Sequence, residues 1–378
     1  MNLWSRLQTR KHLVKAFKSA GVFLAWQTSQ GEKRVYPKIH AIRGDGQSTE
    51  IVFTLPNGVD PALLRKNYFV FEQYFGRTIE LEGEIKKFVL TVHNRAMPDE
   101  LIYNAKEISE AIAEHRLGII CGQDRHGRYV SFDLRKQPHI LIAGETGSGK
   151  STQLRSILTT LIREKRPDEL ELHLGDCKKS EFHIFRNVEH VRCVLSSARD
   201  IERMLKHIKR ELDERSDLTD VFEVSHIDEL PPKQRRPYIV VCIDEFVMLR
   251  KNEEIMSILT EIVAIGRTLG VFAILSMQRP NAQVLDTTVR ANLTVSMGFK
   301  LRDKTEARIV NTPRAEQIEI SGRFIMNSDK VRELQAPYMT MAHAKELLAP
   351  YMVAKGPVKE VTPQPEILTE KDVFADVD

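Results

Sequence analysis

Cysteine is scarce in this sequence. The chain has 378 residues and four cysteines, and none forms a C-x-x-C pair or stands beside a histidine cluster: Cys121, Cys177, Cys193 and Cys242. Disulfide scaffolds and zinc ribbons need more cysteines at closer spacing. We therefore expect four reduced thiols in or near the core of a cytoplasmic protein, and we exclude a fold held together by disulfides or zinc.

Long hydrophobic runs are also missing. The nearest candidate, residues 20–26, is far shorter than the ~18 apolar residues that a membrane-spanning helix needs. No small-residue cleavage pattern follows it, as it would in a secretory signal. The sequence therefore predicts no transmembrane segment and a cytoplasmic location.

Acidic residues are absent from the start of the chain, because the first one is Glu32. Five lysines and arginines precede it, and apolar residues recur there at roughly helical spacing: Leu3, Trp4, Leu7, Val14 and Phe17. This pattern predicts a basic amphipathic helix within residues 1–33. Two uses remain open. Residues 1–26 could contact an anionic membrane surface or a partner protein, or the helix packs on its own domain with its basic face in water.

The length predicts about two domains. Alternating and capped segments predict a small α+β domain at 34–94, with strands at 35–42, 50–55 and 85–92 and a helix from Asp60-Pro61 to Gly76. A polar helix at 104–115 then lies in a helical linker, 95–116. The tail, 351–378, is rich in proline, valine and acidic residues and is predicted to be disordered.

Residues 117–350 alternate between strand and helix patterns. A hairpin is predicted from 119–121 and 129–132, followed by five strands at 139–143, 170–174, 238–243, 272–276 and 293–297. The main helices are predicted at 151–164, 198–214 and 253–269, and a polar surface insertion or mobile loop at 216–236. Such alternation is typical of a mostly parallel sheet covered on both faces. The fold class is therefore α/β, preceded by the small α+β domain.

A phosphate-binding loop is the strongest motif. The apolar run at 139–143 leads into the spacing G-x-x-x-x-G-K-S/T, and a helical pattern follows it. Glycines allow several backbone N–H groups to surround phosphate oxygens, and the helix dipole favours an anion at the same place. The lysine would reach the β- and γ-phosphates of ATP, and Ser151 would bind Mg²⁺. The predicted nucleotide-binding residues are Gly144, Glu145, Thr146, Gly147, Ser148, Gly149, Lys150, Ser151 and Thr152.

A second motif ends the apolar run at 238–243 with Asp244 and Glu245. Ligands of open α/β sheets bind at the carboxyl ends of the strands. In this pattern, called Walker B, Asp244 would hold Mg²⁺ and Glu245 would polarise the attacking water. Gln278 follows the next predicted strand, where its side chain could sense the γ-phosphate, although a turn residue before Pro280 would look the same.

Residues 117–335 resemble the motor domain of the FtsK/SpoIIIE family of DNA translocases. The matching stretches are 139–151, Leu174-Gly175-Asp176-Cys177-Lys178 (the family usually has Asp-Pro-Lys there), 241–246, 266–271, 278–280, 292–299 and 303–310. Several separate motifs match in the right order, over more than half of the chain.

The resemblance implies a RecA-like P-loop ATPase that uses ATP and Mg²⁺. It implies a homohexameric ring around DNA, with ATP hydrolysed between subunits and completed by an arginine from the neighbouring subunit. Arg308 aligns best with that arginine, and Arg302 and Arg290 are rivals. Lys150, Glu245, Gln278 and Arg308 are thus the predicted catalytic residues.

The chromosomal members of the family carry membrane-spanning helices and a C-terminal winged-helix module, which this sequence does not show. It is more similar to the short relatives of plasmids and integrative conjugative elements. We therefore expect a DNA-stimulated motor in conjugative transfer or replication of a mobile element, with relaxase or transfer-channel partners. Lys178, Lys179 and Arg186 are the first candidates for DNA contact. The alternatives are a protein-secretion ATPase of the same fold and a recruitment factor with slow ATP turnover.

Overall fold

The computed structural model describes residues 3–29, 31–44, 48–76, 78–93, 97–281, 285 and 287–353. Most of the tail that was predicted to be disordered, from residue 354 onward, lies outside these described residues. The predicted domain boundaries at 33, 94, 116 and 350 stay predictions.

The first part of the chain is an α+β unit. Its helices and strands are α1 (Leu3–Ser19), β1 (Leu24–Thr28), β2 (Gly31–Val35), β3 (Lys38–Gly44), β4 (Ser48–Thr54), α2 (Ala62–Lys66), α3 (Tyr68–Phe75), β5 (Ile79–Glu82) and β6 (Lys87–His93). β1 and β2 form a separate hairpin, and the other four strands form an antiparallel sheet in the order β3-β4-β6-β5. The strand predicted at 35–42 corresponds to β3 but begins too early, because β2 ends at Val35 and β3 begins at Lys38.

Helix α1 packs on this unit by its second half. Phe17 is fully buried, and its ring lies 5.0 Å from that of Phe53 on β4. The first half of the helix is different, because Trp4 is 69% exposed and Leu7 is 52% exposed. The helix therefore packs on its own unit, and its first turns present apolar side chains to solvent. Contact of these turns with a membrane surface or a partner stays a prediction.

The segment after this unit belongs to the second core. It contains β7 (Leu101–Ile102) and α4 (Ala105–Ile112), and Asn104 caps α4 by accepting from the amides of Lys106 and Glu107. Ile108 and Ile112 are buried among the residues of the following domain. The predicted linker helix, α4, thus packs against the following domain, which covers the apolar face of the helix.

The second domain is built on a ten-stranded sheet. Its strands are β8 (Gly118–Gln123), β9 (Tyr129–Asp133), β10 (Ile140–Ala143), β11 (Leu170–Asp176), β12 (Val191–Leu195), β13 (Tyr238–Asp244), β14 (Val271–Met277), β15 (Val295–Gly298), β16 (Arg323–Asn327) and β17 (Val331–Gln335). Their order is β12-β11-β13-β14-β10-β15-β16-β17-β8-β9. The first six are parallel and the last four are antiparallel. A short strand, β18 (Pro337–Tyr338), pairs with β7.

Helices cover both faces of this sheet: α5 (Lys150–Glu164), α6 (Ala198–Val221), α7 (Glu253–Leu269), α8 (Thr287–Asn292), α9 (Lys304–Val310) and α10 (Met341–Leu348). Ile140 and Ile142 of β10 join a core that includes α5, while Leu141 and Ala143 join the core that includes α6 and α7. Successive strand side chains point to opposite faces, so a strand buried on both faces is apolar throughout. This arrangement confirms the predicted mostly parallel α/β sheet.

Two predictions about this domain need correction. The surface insertion predicted at 216–236 begins too early, since α6 continues to Val221. The rest of it is irregular and mostly exposed, although Ile227 and Leu230 are buried. Strands β12, β16 and β17 were also missed. β12 and β17 are only partly buried and carry charged residues. The alternation of apolar and polar residues along them is therefore too weak to be recognised in the sequence.

The four cysteines are free, as expected. Burial raises the pKa of the Cys121 thiol and that of the Cys242 thiol, which makes both unreactive. Across the part of the chain that the structure describes, we find no helix with the length and apolarity required to cross a bilayer.

Candidate nucleotide site

The phosphate-binding loop and the carboxylate pair meet in the structure. β10 ends at Ala143 and leads into the loop, α5 begins at Lys150, and β13 ends at Asp244. β14 lies between β10 and β13, and the three parallel strands deliver their carboxyl ends to one edge of the sheet. The ammonium of Lys150 reaches Asp244, with 2.8 Å between Nζ and Oδ1. Two motifs that are far apart in sequence therefore form one site.

The loop depends on glycine at two positions. Gly147 has a φ of 79° and Gly149 a φ of 107°, in a region that side chains other than glycine rarely adopt. A Cβ atom on Gly149 would also lie 2.7 Å from the Cα of Gly322. Gly149 precedes α5, and no side chain caps that helix. The first turn of α5 therefore offers its backbone N–H groups to an anion.

A cavity of about 800 Å³ lies over the loop, within the range of roughly 300–1,000 Å³ that is usual for small-molecule sites. Its walls include residues 99–100, 321–322 and 335–338 together with Asp244 and Gln278. The predicted nucleotide-binding residues that line it are Glu145, Thr146, Gly147, Gly149, Lys150, Ser151 and Thr152. The size and the donor groups of this cavity fit a nucleoside triphosphate.

The remaining two predicted nucleotide-binding residues support the conformation of the loop and do not line the cavity. The Ser148 hydroxyl donates a hydrogen bond of 2.7 Å to the carbonyl oxygen of Glu145. A Cβ atom on Gly144 would lie 2.6 Å from the Cβ of Phe299. Neither Gly144 nor Ser148 lines the cavity, so the structure assigns them to the support of the loop.

Asp244 is a buried carboxylate with two partners. It accepts hydrogen bonds from the Lys150 ammonium and from the Ser276 hydroxyl, and the Lys150 Nζ also lies 3.0 Å from the Ser276 Oγ. All three residues are at most 4% exposed. Ser276 was missed as a site residue, because a serine at the end of an apolar strand has no distinguishing pattern.

The residues fit a magnesium ion that arrives with phosphate. Among the residues that the structure describes, no cluster of three or more histidine, cysteine, aspartate or glutamate side chains could hold a metal ion. Mg²⁺ at phosphate sites usually takes one or two protein ligands and completes its shell with phosphate oxygens and water. Ser151 and Asp244 both line the cavity, so their oxygens are placed for such a shell. Their role as metal ligands stays a prediction.

Glu245 stands at a sharp turn after β13. Its backbone is left-handed, with φ 58° and ψ 44°, and the residue is 5% exposed. Oε2 lies 2.9 Å from the Lys178 Nζ, and Oε1 accepts from the backbone N–H of Gln278 at 3.1 Å. Left-handed residues other than glycine are uncommon and concentrate at functional sites.

Gln278 lies between two cavities. It lines the nucleotide cavity and also a second cavity of about 610 Å³, which contains Glu245, Arg250, Arg279 and Arg302. Its position beside Glu245 is suitable for sensing a terminal phosphate. That role stays a prediction.

The candidate arginines occupy different positions. Arg302 lines the second cavity and pairs with Asp303 and Glu306. Arg308 on α9 is exposed and lines neither cavity. Arg290 on α8 is also exposed. The fold of one chain therefore does not bring Arg308 into its own nucleotide site, and a role for it in a neighbouring subunit stays a prediction.

Of the three residues proposed for DNA contact, one belongs to the nucleotide cavity. Lys178 lines the nucleotide cavity and pairs with Glu245, whereas Lys179 and Arg186 are exposed. The reason is the sheet register, since Asp176 lies directly opposite Asp244 in the parallel pair β11–β13. The family-like segment Asp176-Cys177-Lys178 was the signal that could have placed Lys178 in the nucleotide site.

Part of this chain is similar to known proteins. The model of the FtsK/SpoIIIE family matches residues 105–235, which begin at α4 and include the phosphate-binding loop. The DNA translocase FtsK of Streptomyces avermitilis is 26% identical over 295 residues, which cover 70% of this chain and 32% of that protein. The DNA translocase FtsK of Oceanobacillus iheyensis is 28% identical over 278 residues, which cover 68% of this chain and 35% of that protein. The chain thus spans about a third of the length of these curated relatives.

Two solved structures are similar in fold. The pCW3 conjugation coupling protein TcpA, in its monomer form with ATPγS, has a TM-score of 0.62 and 23% identity, and the match covers 89% of this chain and 97% of that one. EssC of Geobacillus thermodenitrificans, ATPases 2 and 3, has a TM-score of 0.61 and 19% identity, over 68% of this chain and 52% of that one. These similarities confirm the predicted P-loop ATPase fold.

Proposed function

We propose that this chain is an ATP-driven motor that moves DNA, because residues 105–235 match the model of the FtsK/SpoIIIE family. The observation that carries the proposal is the single site in which the phosphate-binding loop meets Asp244 and Glu245. The reaction class is hydrolysis of the terminal phosphoanhydride bond of ATP.

Each residue of the site has a distinct task in this reaction. Lys150 neutralises charge on the β- and γ-phosphates, and Ser151 and Asp244 would hold Mg²⁺. When bound, the ion would supply positive charge beside the leaving phosphate oxygen. Glu245 orients the attacking water and takes its proton. Gln278 holds the terminal phosphate in line with that water.

DNA is the proposed track. The second cavity, beside Glu245, carries the exposed arginines Arg250, Arg279 and Arg302, and Lys179 and Arg186 are exposed beyond β11. Such side chains bind backbone phosphates independently of sequence, and their binding weakens steeply with salt. We propose contacts with the DNA backbone at Lys179 and Arg186.

The active unit is proposed to be a homohexameric ring with Arg308 acting across the subunit interface. An arginine that stabilises charge in the transition state can contribute ~10³–10⁵ in rate. Mixing Arg308→Ala chains with Lys150→Ala chains tests this arrangement. Part of the activity should return, because the intact site of an Arg308→Ala chain can receive the intact arginine of a neighbouring Lys150→Ala chain. If neither ATPγS nor DNA causes the chain to form particles larger than one subunit, the ring is wrong.

The cellular role is proposed to be conjugative transfer or replication of a mobile element. TcpA is a conjugation coupling protein, and it matches this chain over nearly all of its own length. In that role the chain would act in the cytoplasm and would meet a relaxase or a transfer-channel protein.

Helix α1 is the proposed contact with a membrane surface or with such a partner. Its first turns expose Trp4 and Leu7 beside Arg6 and Arg10. Apolar and basic side chains together suit an anionic lipid surface. Removing residues 1–10 should reduce sedimentation with anionic vesicles and leave ATPase activity intact. A recruitment factor with slow turnover would instead lose transfer on this deletion while its low ATPase rate stays unchanged.

The decisive experiment is the rate of ATP hydrolysis with and without duplex and single-stranded DNA, at low and at high salt. We expect stimulation at low salt that declines as salt rises, because phosphate contacts release counterions. Lys179→Ala combined with Arg186→Ala should weaken the stimulation and leave the basal rate unchanged.

An unchanged rate with either form of DNA at low salt would contradict the proposal. The alternative is then a protein-secretion ATPase, since EssC and this chain share the motor fold. It predicts that a secreted protein substrate, and not nucleic acid, copurifies with the chain and stimulates hydrolysis.

A further inference from the structure

Lys178 stands between the nucleotide cavity and Glu245. It lines the cavity, whereas Glu245 does not, and its ammonium lies 2.9 Å from the Glu245 Oε2. The proposed base is therefore separated from the proposed substrate by a lysine that contacts the base.

The position of Lys178 follows from the backbone. Asp176 lies opposite Asp244 at the ends of β11 and β13, so the chain just beyond Asp176 passes beside Glu245. The Asp176 carboxylate accepts from the backbone N–H groups of three following residues, Ser180, Glu181 and Phe182. These hydrogen bonds hold the turn that carries Lys178, which leaves the long side chain as its adjustable part.

The two members of the ion pair differ in freedom. The Glu245 side chain is 6% exposed, and its second oxygen is held by the Gln278 amide. The Lys178 side chain is 35% exposed and has a flexible four-carbon stem. If the pair opens, Lys178 is the member that moves.

The cavity offers Lys178 a second partner. Lys150, Ser151 and Asp244 line the same cavity, and in the proposed function they surround the terminal phosphates of ATP. A terminal phosphate carries more negative charge and more acceptor oxygens than one carboxylate. ADP lacks that group and leaves Lys178 with Glu245.

We propose that Lys178 is a switch residue that exchanges between the Glu245 carboxylate and the terminal phosphate of a bound triphosphate. The exchange frees Glu245 to accept a proton only when a γ-phosphate is present. This inference rests on the proposed function in one respect, namely that the cavity binds ATP. Under this proposal Lys178 distinguishes ATP from ADP and is a positioning residue for Glu245.

The test measures binding of ATPγS and of ADP, with Mg²⁺, to the full chain and its variants. Lys178→Met should weaken ATPγS binding by roughly tenfold or more, the loss expected for one charged hydrogen bond, and should change ADP binding by less than about twofold. Lys178→Arg should retain most of the preference for ATPγS. Lys345→Met is the control, since it removes an exposed lysine on α10 that lines neither cavity and should alter neither affinity.

A double-mutant cycle with Glu245→Gln tests the exchange itself. Glu245→Gln removes the competing carboxylate, so ATPγS should bind roughly three- to tenfold more tightly. The gain should vanish in the Lys178→Met background. Equal losses for ATPγS and ADP in Lys178→Met, or additive effects in the cycle, would overturn the inference.

The outcomes for the inference and for the proposed function are separate. If hydrolysis proves insensitive to DNA but the Lys178 variants behave as described, the motor function fails and the switch stands. If DNA stimulates hydrolysis and Lys178→Met binds ATPγS normally, the switch fails and the motor function stands. Unchanged ADP affinity shows that the variant is folded, and where ADP affinity falls, urea unfolding makes the same check.

Discussion

The Lys150 ammonium lies 2.8 Å from the Asp244 Oδ1, and neither side chain is more than 4% exposed. The lysine that is predicted to bind phosphate is thus also the counter-ion of a buried carboxylate. Losing it affects stability as well as nucleotide binding.

Lys150→Met should lower the free energy of unfolding by about 3 kcal/mol, because one charge of a buried pair is left without its partner. The double variant Lys150→Met with Asp244→Asn should recover most of that loss and still fail to bind ATPγS. Urea unfolding and ATPγS titration separate the two effects. Wild-type nucleotide affinity in either variant would contradict the assignment of Lys150.

Glu245→Gln should lower the rate of ATP hydrolysis by about 10²–10⁴, the usual contribution of a positioned general base. ATPγS should still bind, at least as tightly as to the wild type, because the amide retains the shape of the side chain and an acceptor for the Gln278 N–H. Single-turnover hydrolysis measures the loss directly. Glu254→Gln, an exposed change in the first turn of α7, should have no effect. Normal turnover in Glu245→Gln would show that another group is the base.

Gly149→Ala should abolish nucleotide binding. The added Cβ meets the backbone of Gly322 at 2.7 Å, and alanine disfavours the φ of 107°, so the loop must move. Gly127→Ala is the control, since Gly127 has a φ of 74° in a hairpin turn but no atom within 4 Å of the added Cβ. The control should cost about 1 kcal/mol of stability and no ATPγS affinity. Similar nucleotide affinities in the two variants would mean that contact with Gly322 is unimportant.

The stability of the protein should fall as the pH drops below neutral, in part through His139. This residue is buried at the start of β10, and its Nδ1 accepts from the Ala273 amide at 3.0 Å. Burial lowers the pKa of His139 to about 3, while the unfolded chain titrates near ~6.5. Between these values the unfolded state binds the extra proton, so stability is present above the unfolded pKa and is lost as the pH falls.

His139→Asn should remove about 2 kcal/mol of the change in unfolding free energy between about pH 7 and pH 5. The φ of His139 is 62°. Asparagine tolerates a positive φ and supplies an acceptor for the Ala273 amide. Urea unfolding at several pH values measures the slope. His183→Asn, at an exposed histidine, should leave the slope as in the wild type, and an equal slope in all three proteins would refute the prediction.

Much of the candidate site could be predicted from local sequence. Residues 144–152 and the pair Asp244–Glu245 are recognisable because phosphate binding needs glycine conformations and a lysine at one spacing, and because a strand buried on both faces is a continuous apolar run. The helix beginning at Lys150 and the strands before both motifs lie within a few residues of their predicted bounds. For these elements the information is contained in neighbouring residues.

The tertiary structure alone decided which distant side chains meet. Lys178 was a candidate for DNA contact, and the structure pairs it with Glu245, because the register of two parallel strands brings the ends of β11 and β13 together. Ser276 joins Lys150 and Asp244 for a similar reason, since β14 lies between the strands that carry the two motifs. Parallel pairing and strand order arise from contacts between segments far apart in the chain. A single sequence therefore determines the chemical groups of the site, while the sheet determines their partners.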